Sequence, residues 1–399
     1  MNKISNNLNP KLIVLLSRFP FPLEKGDKLR AFYQIIELSK SFDITLIAIS
    51  DNVVSEKSIH ELEKFCKEIH VFYLPKWKSL LQSLIGLFGA KPIQISYFHN
   101  YSIHKKINAI VKKLRPDHIY CQLIRTTEYL KNYHNCQKTL DYMDAFSKGI
   151  ERRISLQTIF TKWIFKLEAK RLAQYEREVY DYFEIQTIIS EQDAEALGTL
   201  PNQPVLCIPN GVSKSFLNFS TDKLPEFDII FVGNLNYPPN VQAVKYILDK
   251  ILPKAKENGY AWKFLAAGAG PSKQLVDNID ANSQASLLAN VADIREAYCA
   301  GKVFVAPMQI GTGLQNKLLE AMALGIPCVT TPLANNALKA LKNEEIIIAD
   351  SVEEFVKNIH FLLTNEKSER IGTKGKQLVL RNFNWGNSTE ILAKAIQKA

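Results

Sequence analysis

Short apolar runs recur along the whole chain, and they constrain the fold more than any other feature. In the first half they are Leu12–Leu16, Ile44–Ile49, Ile69–Leu74, His118–Cys121, Thr139–Met143 and Ile185–Ser190. In the second half they are Asp228–Val232, Lys263–Ala267, Ser286–Ala289, Lys302–Ala306, Pro327–Thr331 and Glu345–Ala349. Most lack strict alternation, as strands buried on both faces do. Between them lie stretches of helical period. Asp27–Ser41 carries Leu29, Phe32, Tyr33, Ile36 and Leu38, and Asn240–Leu252 carries Val241, Val244, Ile247, Leu248 and Ile251. Gln315–Gly325 carries Leu318, Leu319, Met322 and Ala323. Strand alternating with helix predicts parallel sheets joined by right-handed crossovers.

A chain of 399 residues exceeds one ordinary core, and the two series of strands predict two doubly wound α/β domains. The turn formers around Pro209–Pro225 mark the linker. With 46% apolar and 23% charged residues, wholesale disorder is excluded. Cys66, Cys121, Cys136, Cys207, Cys299 and Cys328 form no C-x-x-C pair, and the seven histidines form no H-x-x-x-H pair. No metal site is therefore expected. His118 opens a strand and reads as structural. The first residues lack the apolar region of a signal peptide, and no run is long enough to span a bilayer. The expectation is a cytoplasmic protein.

Net charge is +10, and its distribution is uneven. Residues 76–115 hold eight basic residues and no acidic one, interleaved with Trp77, Leu80, Leu81, Leu84, Ile85, Leu87, Phe88, Tyr97, Phe98 and Tyr101. Residues 152–171 hold six basic residues and one Glu, beside Trp163, Ile164 and Phe165. Basic residues among aromatics suit an anionic lipid surface. The alternative is lysines snorkelling over an ordinary core. The membrane reading predicts peripheral attachment to the inner face of the cell membrane. No nucleic-acid-binding motif accompanies the charge.

The richest loop is Ala306–Pro332. A strand runs into Gly311 and Gly313, and a helix starts near Gln315. The glycines admit close backbone approach, and the helix start offers free amides and a positive dipole end. Lys317 adds a full charge. Glu320, one turn on, suits a ribose diol. Together these fit a nucleoside diphosphate; a glycine turn with a surface Lys–Glu pair is the alternative. Asp141 and Asp144 end the Thr139–Met143 run, where a carboxylate either meets an acceptor hydroxyl or caps the next helix. Ser190 and Asp193 read as a helix cap.

The segment EAMALGIPCVTT, residues 320–331, resembles the signature of family 4, or group 1, glycosyltransferases, whose fold is GT-B. GLQNKLLEAMALG, residues 313–325, is similar to a subgroup of bacterial exopolysaccharide-associated sugar transferases. FVGNLNYPPNVQAVKYIL (231–248), IPNGV (208–212), SRFPFPLEKGDKLRAFYQIIELSK (17–40) and RNFNW (381–385) resemble further parts of that subgroup, in the same order.

The resemblance implies two Rossmann-like domains facing a cleft. An acceptor domain would cover 1–212, with 382–399 crossing back as a helix, and a donor domain would cover 213–381. It implies a retaining, metal-independent transfer from a UDP- or GDP-sugar to a saccharide or lipid-linked saccharide, with no other cofactor. Glu320 would bind the ribose, and Gly311, Thr312, Gly313, Leu314, Gln315 and Asn316 the diphosphate. Gly233, Asn234 and Gly268 would flank the nucleotide, and the base would be read near Val291. Gly26 would face the phosphate or sugar, with Asp27 and Arg30 beside it. Asp144, Asp141 and Lys317 are the candidate catalytic groups.

Three positions depart from the broad family pattern. Thr312 stands where its first motif glutamate is expected, and Asn234 and Asn240 stand where a basic pair would clamp the phosphates. Lys317 is the leading replacement cation, with Arg18, Lys28 and Arg30 from the first domain. A non-catalytic nucleotide-sugar-binding relative, or a nucleotide-sugar epimerase, is the alternative. A dinucleotide dehydrogenase is disfavoured, because the first strand leads into SRFPFPLEKGDK and not G-x-G-x-x-G.

Overall fold

The computed structural model describes residues 9–198, 204–310 and 313–398. The chain divides into two compact units, Met1–Pro209 with Ser388–Ala399, and Asn210–Asn387. Residues 210–212 and 382–387 thus lie in the second unit rather than the first. Their local pairing explains this. The Val212 N–H donates to Phe383 O at 2.9 Å, and Val212 bridges Asn384 in parallel. Gly211 lies so close that an added Cβ would come within 2.3 Å of the Trp385 nitrogen.

The first unit has strands β1 (Lys11–Leu16), β2 (Asp43–Ser50), β3 (Glu68–Tyr73), β4 (His118–Gln122), β5 (Gln137–Met143), β6 (Ile185–Ile188) and β7 (Leu206–Cys207). They form a parallel sheet in the order β3-β2-β1-β4-β5-β6-β7. Side chains of β1 alternate between its faces: Ile13 and Leu15 enter one buried cluster, and Leu12, Val14 and Leu16 the other. The Trp385–Lys398 helix places Leu392 and Ile396 in that second cluster.

The second unit has β8 (Phe227–Val232), β9 (Phe264–Gly268), β10 (Ala285–Ala289), β11 (Gly301–Ala306), β12 (Cys328–Thr330) and β13 (Ile347–Ile348). Their parallel order is β10-β9-β8-β11-β12-β13. Strand order reverses between β1 and β4 and between β8 and β11. The carboxyl ends at such reversals are where doubly wound sheets hold ligands.

Two buried polar clusters brace the first unit. In one, Arg30 and Asp141 are fully enclosed and paired with each other. Arg30 Nε and Nη2 donate to Asp141 at 2.6 and 3.1 Å, and Nη1 donates to Ile208 O at 2.7 Å. Thr187 Oγ1 donates to Asp141 at 3.0 Å, and the Tyr120 hydroxyl lies 2.7 Å from Asp141 and 2.6 Å from the Gln34 amide. The cluster ties the Gly26–Leu38 helix to β4, β5 and β6 and to the chain leaving β7.

In the other, Glu128 meets Lys91, Lys131 and the Tyr175 hydroxyl. Burial pushes its carboxyl up, but these hydrogen bonds outweigh it and hold the pKa at about 2. A depressed carboxyl stabilises the fold above its unfolded pKa, and that contribution is lost as pH falls from about 4.3 towards 2. Glu128→Gln is expected to cost about 2–3 kcal/mol at neutral pH and to flatten the acid limb of stability. Urea unfolding at several pH values checks it, and an unchanged midpoint at pH 7 would refute it.

Candidate functional site

Most of the sequence-predicted donor residues meet at the carboxyl edge of the second sheet. At the end of β9, Gly268 has φ +148°, and an added Cβ would sit 1.7 Å from Gly233 O. Only glycine fits there, so the loops after β8 and β9 touch backbone to backbone. The Asn290 N–H donates to Gly268 O at 3.1 Å, which sets Val291 next to this floor.

Lys317 reaches the same place from the Asn316–Ala323 helix. A Cβ on Gly233 would lie 3.5 Å from Lys317 Cε and 2.8 Å from the Asn240 amide nitrogen. Asn240 cannot supply charge; it holds the loop by donating to Asn234 O at 2.9 Å. Lys317 is thus the charged side chain beside Gly233, where Asn234 and Asn240 bring none. Its ammonium donates to Gln315 Oε1 at 2.6 Å, and Gln315 Nε2 donates to Gly313 O at 2.7 Å. Asn316 accepts from Asn210 Nδ2 at 3.1 Å. These bonds fix the turn into the helix, and Leu314 packs on the core of this unit. Gly311 and Thr312 lie outside the described residues.

Glu320 lies one turn along the same helix. Its Oε2 accepts from the buried Tyr298 hydroxyl at 2.7 Å, leaving the rest of the carboxylate available. Burial pushes Glu320 up to about 7, against the Tyr298 bond and Lys317. Burial pulls Lys317 down to about 8, against Glu320. The two shifts run in opposite directions and bring the carboxyl and the ammonium towards neutral pH from either side. Tyr298 had no signal in the sequence beyond an aromatic on an amphipathic helix.

In the first unit the candidates separate. Gly26 opens its helix and is exposed. Asp27 pairs with Arg18 at 2.5 Å, and its carbonyl accepts from Gln122 Nε2 at 3.2 Å. Burial pulls the Lys28 amine down. Arg30 and Asp141, expected at the donor and acceptor, lie instead within the interior of the first unit. Each satisfies the other in the sealed interior, and neither reaches solvent.

Asp144, three residues further on, clears the end of β5 and is exposed. The next helix, Phe146–Arg153, has Ala145 at its cap position, so the capping role is not taken by Asp144. Crowding by the surrounding protein pushes the Asp144 carboxyl up, Asp193 adds to this, and Arg125 opposes it. Arg125 itself was not foreseen. It stacks over Phe98 and Phe146, at 5.0 and 4.7 Å, and donates to Gln94 Oε1 at 3.0 and 2.8 Å. Among the described residues no group of three or more His, Cys, Asp or Glu could hold a metal ion.

Comparison with known proteins agrees with this architecture. Residues 226–365 match the family described as glycosyl transferases group 1. A 44.6 kDa protein in the cps region of Klebsiella pneumoniae is 24% identical over 370 residues, covering 88% of this chain and 90% of that protein. The structure of Anabaena HepE in complex with UDP and glucose has a TM-score of 0.69 at 13% identity, covering 98% of this chain and 100% of that one. Sucrose-phosphate synthase from Thermosynechococcus elongatus has a TM-score of 0.68 at 13% identity, covering 97% and 98%. Two parallel-sheet units of this order are the GT-B fold, and the segment similar to the group 1 glycosyl transferases, residues 226–365, lies in the second of them.

Proposed function

We propose that this chain transfers a sugar, with retention of anomeric configuration, from a UDP- or GDP-sugar to a hydroxyl of a saccharide or lipid-linked saccharide. The observation that carries the reading is the meeting of Lys317, Glu320 and the bare Gly233–Gly268 floor at one sheet edge. Glu320 accepts hydrogen bonds from the ribose diol. Lys317 and the first amides of its helix, Gly313 to Asn316 included, receive the diphosphate. As the bond from the anomeric carbon to phosphate breaks, charge builds on the diphosphate, and fixed positive groups there lower the barrier. The acceptor oxygen bonds to the same face of that carbon, and Asp144 takes the hydroxyl proton. The nucleotide sugar is a co-substrate, and the proposed step uses no metal ion or resident cofactor. The likeness to a UDP-binding structure supports a UDP-sugar first, and the cps-region relative supports a role in surface polysaccharide synthesis.

Calorimetric titration of UDP and GDP into wild type and Glu320→Ala tests the donor site. One nucleotide is expected to bind, and the variant to bind it about tenfold to a hundredfold more weakly. Proton NMR of the product's anomeric centre tests retention. Inversion would sink the retaining reading, and binding with no turnover on any nucleotide sugar would favour the non-catalytic alternative.

A further inference from the structure

The Lys76–Phe88 helix is inside out. Its buried or half-buried positions are Ser79, Gln82, Ser83, Gly86 and Leu87, so Leu87 is the one large apolar side chain of this helix turned inward. Gly86 sits so close to the Ile93–Phe98 helix that an added Cβ would come within 2.5 Å of Ser96 Oγ. The opposite stripe is Trp77, Leu80, Leu81, Leu84, Ile85 and Phe88, all exposed, from 52% for Leu81 to 89% for Phe88. A helix that serves only its own core points such a stripe inward. Six large apolar side chains on one solvent face mark an interaction surface.

A second exposed group belongs to the Ile159–Glu178 helix, where Ile159 and Phe160 are more than four-fifths exposed and Trp163 more than half. The two helices are joined. Arg171 donates to Gly86 O at 3.1 Å and to Leu87 O at 3.2 Å, and Glu168 accepts from the Ile93 and Gln94 amides at 2.7 and 3.0 Å. Trp163 lies about 12 Å along its helix from Arg171.

The charge around these residues selects the occupant. No acidic residue occurs in 76–115, against eight basic ones. Lys78 lies over the Trp77 ring at 5.4 Å, and Lys105 over the Tyr101 ring at 4.7 Å. Lys162 and Lys166 flank Trp163. A second copy of this chain meeting the same face would set positive charge against positive charge. An anionic lipid surface offers both missing complements, acyl chains for the stripe and headgroups for the lysines. No described helix is long and apolar enough to cross a membrane, so the stripe would lie in the interface and not span it.

We infer that the Lys76–Phe88 helix and the first turn of the Ile159–Glu178 helix dock this chain on an anionic bilayer. The inference goes beyond the donor chemistry and stands apart from it. The test is co-sedimentation of the full chain with vesicles of phosphatidylcholine alone and of an equimolar phosphatidylcholine–phosphatidylglycerol mixture, at low and high salt. Wild type is expected to bind only the anionic vesicles, and less at high salt. Lys78→Ala/Lys162→Ala should partition about 25-fold less, taking about fivefold per lysine. Leu84→Glu/Ile85→Glu, changed only at exposed sites, should lose binding while still binding nucleotide like wild type. Folded wild type that ignores anionic vesicles would overturn the inference. So would an apolar-stripe variant that binds them like wild type, or one whose only change in sedimentation velocity is from dimer to monomer.

Discussion

Arg30→Met is expected to destabilise the first unit by about 3–5 kcal/mol, because it leaves the Asp141 carboxylate enclosed without its cation. For a unit of this size that corresponds to a fall in melting temperature of roughly 6–20 °C. Thermal unfolding by calorimetry reads it. The double variant Arg30→Met/Asp141→Leu should recover part of the loss, since removing both charges removes the desolvation that neither alone can offset. Asp141→Asn separates a structural role from a chemical one. It should lower the transition temperature while turnover per folded molecule, measured well below that temperature, stays near wild type. An unshifted transition with turnover abolished would return Asp141 to catalysis.

Lys317→Ala should lower kcat/KM by about a hundredfold to a thousandfold, the range found when a preorganised group facing developing charge is removed. Binding of the nucleoside diphosphate should weaken too, because the same ammonium faces the phosphates before the bond breaks. The pH dependence gives a sharper readout. Lys317, pulled down to about 8, is cationic below that value, so affinity in wild type should fall as pH rises from 8 to 9. Glu320, pushed up to about 7, is an acceptor only when ionised, so affinity should also fall as pH drops below 7. Lys317→Ala should lose the alkaline limb and keep the acid one. A variant that retains the full bell would show that another cation holds the diphosphate.

Much of this was legible in the residues. Each apolar run became a strand, and the central ones are apolar at nearly every position because both faces are covered, whereas the edge strands β3 and β10 stay partly exposed. β7 gave no separate signal, since its apolar stretch is short and lies between Pro204 and Pro209. The Gly-rich turn, Lys317 and Glu320 were visible because they are close in sequence. Gly233 and Gly268 were named only through the family resemblance; that they touch follows from the pairing of β8 with β9, and Tyr298, which reaches Glu320 from a helix with no polar signature, was not expected.

Asp141 and Asp144 looked equivalent on the page. The difference is that Asp141 lies within β5 and points into the interior, whereas Asp144 clears its end. The Lys76–Phe88 stripe had the spacing of a core-facing helix. Spacing shows that a helix has an apolar side, and only packing shows which way that side turns.

The Trp385–Lys398 helix has a consequence for biosynthesis. Leu392 and Ile396 complete a cluster whose other buried members end at Ile208. They leave the ribosome about 180 residues later, roughly 10–40 s at ordinary elongation rates. For that interval the first unit carries an open apolar slot beside Leu12, Val14 and Leu16. A nascent chain stalled before residue 388 should therefore be held by chaperones or cut by proteases, and release of the last helix should close the slot. Translation order, and not only sequence, decides when the first unit becomes native.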